Sequence, residues 1–216
     1  MIRQFGLSEA LAIAAGVQWT ILLSLIAFIG GGAVGLAIAL IRTSERAWLR
    51  RLAGAYIDFF QGTPLLMQLF LVFYGLPVFG HKVSPWTAVS LGLTLHASAF
   101  LGEIWRGAIQ AVPRGQTEAA RALGLGYVSL MRDVVLPQAM RLSVAPTVSF
   151  LVQLIKGTSL AAIIGFVELS RAAQIIASTT YKPLLAYSCA GIIYFVLCFP
   201  LSRFSMRLER RYAVKT

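Results

Sequence analysis

Histidine and cysteine are nearly absent from this sequence, two of each among 216 residues. His81 and His96 do not form a cluster with other ligand types, so no metal centre is expected, and no nucleophile and base fall together as a membrane enzyme would need. Cys189 and Cys198 lie nine residues apart on one expected helix. They would point to opposite faces about 13 Å apart along the axis, which rules out a bridge between them and leaves them as packing residues. Charge is scarce too: 12% of residues are charged against 58% hydrophobic, at a mean hydropathy of +0.77, whereas a soluble domain carries roughly a quarter of its residues charged. A Gly-x-x-x-x-Gly-Lys-Ser/Thr loop is also missing, so the chain is not expected to hold nucleotide phosphates itself.

What is abundant is long apolar runs. Five are long enough to cross a bilayer as helices, at about 17–41, 56–76, 86–108, 142–164 and 184–204, given the roughly 20 residues a crossing needs. They are unbroken and do not alternate, which argues against a barrel. A secretory signal is the other reading of the first run. Only Arg3 and Glu9 precede it, it is too long for a signal core, and no small-x-small cleavage site follows, so it is read as a mature helix.

The basic excess, +11 formally, is distributed by loop and not in a nucleic-acid patch. Fourteen of the nineteen Lys and Arg fall between runs one and two, from the end of run three up to run four, or from the end of run five onward. That alternation is the positive-inside pattern. It predicts an all-α integral membrane protein, a bundle of five transmembrane helices forming a single transmembrane domain over 1–216. Its N-terminus is expected outside, its C-terminus in the cytoplasm, and its longest polar connection, 111–141, in the cytoplasm.

Inside the runs, a few polar residues are candidates for function or for close packing. Gly31 and Gly35 form a small-xxx-small face that suits close helix packing, within the chain or between two chains. Gly62 and Pro64 open two readings of span two: a broken helix lining a cavity, or, preferred, a helix starting at the interface with Pro in its first turn. In span three His96 is read as a hydrogen-bonded interior residue. Glu103 lies three residues before Arg106 and could pair with it, or face the bundle interior as a functional carboxylate. Span four carries Ser149, Gln153, Lys156, Thr158 and Ser159. A buried ammonium needs a carboxylate, carbonyls or a water-filled cavity, each of which puts Lys156 inside the bundle. A segment with Glu168, Arg171 and Gln174 is expected as a short surface helix after span four.

The 111–141 connection has its own grammar. The segment Thr117 to Leu123 contains strong helix formers, Glu118 to Leu123, and is stopped by Gly124 and Gly126; Glu118 is expected in the first turn, and a second short helix, 127–135, is expected to end before Pro137 opens span four. A helix-Gly-helix knob of this kind suits the docking of a cytoplasmic partner.

The spacing Glu118-Ala119-Ala120, Gly124, Val134, Leu136-Pro137 resembles the EAA loop of bacterial ABC importer permeases. The chain is also similar to the polar amino acid uptake, histidine/glutamine-type, branch of that family at Gly62-Thr63-Pro64-Leu65-Leu66, Tyr74-Gly75-Leu76-Pro77, Glu103-Ile104, Thr158-Ser159-Leu160 and Leu208-Glu209-Arg210-Arg211. The similarity extends over roughly Trp19 to Arg211. The resemblance implies an inner-membrane permease subunit that moves a polar amino acid or related compound by alternating access. Its implied partners are cytoplasmic ATP-binding subunits that hold ATP and Mg, a second permease chain, identical or homologous, and an external or periplasmic substrate-binding protein; the chain itself needs no cofactor. It also implies that Glu118, Ala119, Ala120 and Gly124 couple to the ATPase. His96, Glu103, Ser149, Gln153, Lys156 and Thr158 are the substrate-path candidates. Three positions depart from the family's common pattern: Gln61 before Gly62, Ser149 where Asn is frequent, and Gly157 where an acid often follows the lysine. The last removes the obvious partner of Lys156, which is then expected to meet Glu103 or a substrate carboxylate. An ion-gradient-driven transporter for a small polar solute is the alternative; it predicts inverted internal repeats, and no half-to-half similarity is visible.

Overall fold

The computed structural model describes residues 4–44 and 46–212, and all regular structure among them is helical. The helices are α1 (Leu7–Ala15), α2 (Val17–Arg42), α3 (Ala47–Gly62), α4 (Leu65–Val78), α5 (Pro85–Gln110), α6 (Arg114–Ala122), α7 (Tyr127–Ile164), α8 (Leu169–Thr180) and α9 (Pro183–Tyr212). Four stretches are long and apolar enough to cross a membrane: Leu7–Arg42, Pro85–Gln110, Tyr127–Ile164 and Pro183–Tyr212. A fifth crossing exists if the bent pair α3 and α4 counts as one span.

The bundle is built around the seam between α2 and α5, its most extensive helix pair. Gly31 and Gly35 make the seam possible. A Cβ on Gly31 would stand 2.5 Å from Cβ of Ala97, and one on Gly35 would stand 2.9 Å from the Ser98 carbonyl oxygen. The small-residue face is therefore used up within the chain. Around the seam lies the main core, with Leu23 and Ala27 of α2, Leu69 of α4, Leu93 and Leu101 of α5 and Phe150 of α7.

Span two is not the single helix expected over 56–76. α3 and α4 meet at 106°, so the broken-helix reading replaces that of a helix starting at the interface. Proline explains the break. Pro64 disfavours helical backbone at the residue before it, and Thr63 is accordingly extended at φ −114°, ψ 142°. The freed groups are gathered by Gln68, whose Nε2 donates to the Phe60 carbonyl at 2.7 Å and to the Thr63 carbonyl and hydroxyl, each at 3.0 Å.

Spans four and five are longer than the apolar runs suggested. α7 starts at Tyr127 and passes through Pro137 without a break, so the separate helix over 127–135 does not exist. The chain widens into a π turn over Leu130–Val135, immediately before Leu136-Pro137. The same device occurs over Leu71–Gly75, before Leu76-Pro77. A proline lacks the amide hydrogen and collides with the carbonyl four residues back, and a wider turn relieves both problems. α9 continues helical through Arg207 to Arg211.

The helix carrying Arg171 and Gln174, α8, is not a purely surface element. Leu169, Ala173 and Ile176 pack with Ile13 of α1 and Ala186 and Ala190 of α9 in a second core. Its N-cap is Glu168, which is 0% exposed and accepts from the Arg171 amide at 2.9 Å, the Tyr194 hydroxyl at 2.8 Å and, more loosely, the Thr20 hydroxyl at 3.4 Å.

Candidate functional site

A third, separate core holds α6 at one end of the bundle. Ala120 (4% exposed) packs with Ala108 near the end of α5, with Val112 just beyond that end, and with Leu130, Val135 and Ala139 of α7. α6 stops in a full Schellman closure: the Gly124 amide donates to the Arg121 carbonyl at 2.9 Å, and the Leu125 amide reaches back to the Ala120 carbonyl at 3.1 Å. Such a closure needs a left-handed residue after the helix, and Gly124 supplies it at φ +76°.

The four coupling candidates therefore divide. Ala120 faces inward and fixes the knob to the spans, while Glu118, Ala119 and Gly124 are exposed. Glu118 lies in the second turn and not the first, because the helix begins three residues earlier than the helix formers suggested, at Arg114. Leu123 (81% exposed) and Val128 (75%) stand beside them at the tip. Exposed large apolar side chains next to small ones mark a surface suited to a partner.

The substrate-path candidates also divide. Ser149 and Gln153 of α7 line a groove of about 610 Å³ together with Phe100, Pro146, Glu209 and Tyr212. An adjoining groove of about 390 Å³ shares Phe100, Ile104, Leu142 and Pro146 and adds Gln61, Glu103 and Arg106. Glu103 does not meet Lys156: its carboxylate takes the Arg106 guanidinium, with Nε at 2.7 Å, and Arg106 also reaches Gln110. Lys156 is exposed on α7, one turn beyond Gln153, and not enclosed in the single-chain bundle. Thr158 is fully buried and donates to the Ile155 carbonyl at 2.7 Å, so it does not reach these grooves. His96 is set back as well, its Nδ1 3.0 Å from Gln68 Oε1 and its ring 4.5 Å from that of Phe100.

Gln68 is the residue that reading the sequence overlooked. It is 4% exposed and joins the α3/α4 break to His96 of α5. Its signal was a lone amide in an apolar run, five residues after Thr63. Tyr56 was overlooked too; its hydroxyl lies 2.7 Å from Ser98 Oγ and donates to the Leu95 carbonyl at 3.2 Å.

These features describe a multi-pass helical membrane protein with a bent helix pair, an open polar face and a small knob outside the spans. The family of binding-protein-dependent transport system inner membrane components matches residues 31–214, and the chain belongs to it. Among its relatives, the probable amino-acid ABC transporter permease YckA of Bacillus subtilis is 39% identical, over 92% of this chain and 88% of that protein. The L-cystine transport system permease TcyB of the same organism is 38% identical, over 91% and 84%. A crystal structure of an amino acid ABC transporter with histidines superposes at a TM-score of 0.87 and 36% identity, covering 93% of this chain and 94% of that one. The inward-facing MetNI methionine transporter shares the fold at a TM-score of 0.79 and 19% identity, over 97% and 100%.

Proposed function

We propose that this chain is one of two permease subunits of an ATP-driven importer for a polar amino acid or a related compound, with α6 as the coupling helix on which a cytoplasmic ATPase docks. The observation that carries the reading is the knob itself. α6 has its own small core, so it moves with the ends of α5 and α7, while Glu118, Ala119, Gly124 and Leu123 remain exposed. A force applied at that surface is passed to two spans at once.

The loop between α2 and α3 lines a common cavity with α6 and the start of α7, and Tyr212 near the end of α9 lines a groove with Phe100 and Ile104 in the half of α5 that leads to α6. The basic segments therefore share an end, which supports reading that end as cytoplasmic. The substrate-binding protein then meets the opposite end. Ser149, Gln153 and Glu103, on an open face of a single chain, are suited to line a path completed by the second permease chain. ATP binding brings two coupling helices together, hydrolysis lets them part, and the path opens to alternate sides. The names carried by its relatives support an amino acid or amino-acid derivative as cargo.

Affinity purification of the tagged chain from cells that co-express a candidate partner ATPase tests the reading. The expected result is co-elution of the ATPase with wild type and its loss on Glu118→Lys, with the permease itself still folded. If wild type elutes alone, or Glu118→Lys retains the ATPase fully, the docking assignment fails.

A further inference from the structure

Among the described residues only three buried side-chain polar atoms lack a hydrogen-bond partner, Nε of Arg42, Oγ of Ser44 and Oγ of Ser90. Two of the three belong to residues that line one cavity. It measures about 400 Å³ and lies between the end of α2, the end of α5, and the knob, with Arg42, Ser44, Arg50, Gln110, Thr117 and Tyr127 in its wall. None of the described residues lining it is acidic. An unsatisfied buried donor is costly, and native chains leave few. Two in one basic cavity point to a ligand that accepts hydrogen bonds and carries negative charge.

The guanidinium of Arg42 is seated for such a ligand. It lies against Gly54 of α3, where a Cβ would come within 3.2 Å of its Cζ. Its hydrogen bond to protein, to the Arg50 carbonyl, is long at 3.5 Å. A guanidinium keeps its charge at any physiological pH and offers paired donors that match phosphate oxygens. The Ser44 hydroxyl adds a third donor.

We propose that this cavity binds the phosphate of a phospholipid headgroup, tying the turn between α2 and α3 to the knob. The lipid source is argued from the surroundings. Arg42 ends a membrane-crossing helix whose Leu40 and Ile41 are exposed, and the next helix exposes Trp48 (63%) and Leu52 (65%). Acyl chains can lie along these side chains while the headgroup enters beside Arg42, the arrangement by which basic residues at a span end engage anionic lipid.

The test uses the full-length chain, purified with the subunits that co-elute. Its thermal midpoint is followed against phosphatidylglycerol in mixed micelles, against diacylglycerol with the same acyl chains, and against inorganic phosphate. Phosphatidylglycerol is expected to raise the midpoint saturably, as a ligand of the native state does, and diacylglycerol to leave it unchanged. Arg42→Gln is expected to weaken the apparent affinity more than tenfold, and Ser44→Ala about fivefold. Because the Ser44 hydroxyl has no partner in the free chain, Ser44→Ala leaves the lipid-free midpoint unchanged, which separates a binding role from a structural one. Arg132→Gln, on a side chain 85% exposed outside the cavity, controls for loss of charge and leaves affinity intact. The proposal is overturned if phosphatidylglycerol gives no saturable shift, or if Arg132→Gln weakens binding as much as Arg42→Gln. A shift with inorganic phosphate and none with the lipid overturns the lipid as its source.

Discussion

Replacing Gly31 by alanine puts a methyl group where the α2–α5 seam has no room. The new Cβ would lie 2.5 Å from Cβ of Ala97, 3.0 Å from the Ser98 amide nitrogen and 3.1 Å from the Ala97 carbonyl carbon. Carbon atoms rest about 3.5–4.0 Å apart. Two of these neighbours are backbone and cannot rotate away, so α2 must move from α5 by about 1 Å, giving up contacts along the seam. Overpacking of this kind costs roughly 1–3 kcal/mol. Against it stands the gain of replacing a helical glycine by alanine, roughly 0.5–1 kcal/mol. The net expectation is a loss of up to about 2.5 kcal/mol. Gly32→Ala is the internal comparison: its Cβ would meet Trp105 at 3.5 Å, an ordinary contact, so only the helix gain of roughly 0.5–1 kcal/mol remains. Reversible unfolding of both variants in mixed micelles, followed by tryptophan fluorescence, should move the two midpoints in opposite directions. If Gly31→Ala is as stable as Gly32→Ala, the seam is not packed as described and the reasoning from its glycines is wrong.

Gly124→Ala forces a left-handed residue without glycine's freedom, at roughly 1–2 kcal/mol; the Leu125 amide, which closes the α6 terminus, should then exchange hydrogen about tenfold faster. Glu168→Ala removes the partner of the Arg171 amide and the stronger acceptor of the Tyr194 hydroxyl, leaving that hydroxyl only Ser170, and should lower stability by about 1–3 kcal/mol. Glu168→Gln keeps one acceptor oxygen and should lose clearly less, so equal thermal midpoints for the two would refute the network. Lys156→Met should abolish substrate-stimulated transport while assembly, judged by size-exclusion elution, is retained; unchanged uptake would remove Lys156 from the path.

The helices of runs one and three were readable to within two residues at each end, at 17–41 against Val17–Arg42 and 86–108 against Pro85–Gln110. A long uninterrupted apolar run limits where a helix can begin and end. Span two was not readable in the same way, because a single proline rule serves two geometries. Pro64 can start a helix or separate two, and the choice rests on Gln68, which supplies partners for the freed backbone from the next turn. Pro137 misled in the opposite sense: a π turn absorbs it, and composition does not report a change in hydrogen-bond register.

The knob was legible because Gly124 follows a run of helix formers, and its closure is local. The path was less so. Glu103 found its partner three residues away, which left Lys156 without it. Glu168 read as polar surface because the hydroxyls that receive it come from Thr20 and Tyr194, 148 and 26 residues distant. Long-range polar contacts of this kind leave no periodic trace.

The central claim is that this chain carries solute inward on the work of a separate ATPase acting through α6. Uptake by proteoliposomes holding the chain, its co-purifying ATPase and the cognate binding protein tests it most directly. The account predicts accumulation of a radiolabelled amino acid that requires ATP on the side of the ATPase, persists when ion gradients are collapsed, and is lost on Glu118→Lys. Accumulation driven by an ion gradient without ATP would contradict it.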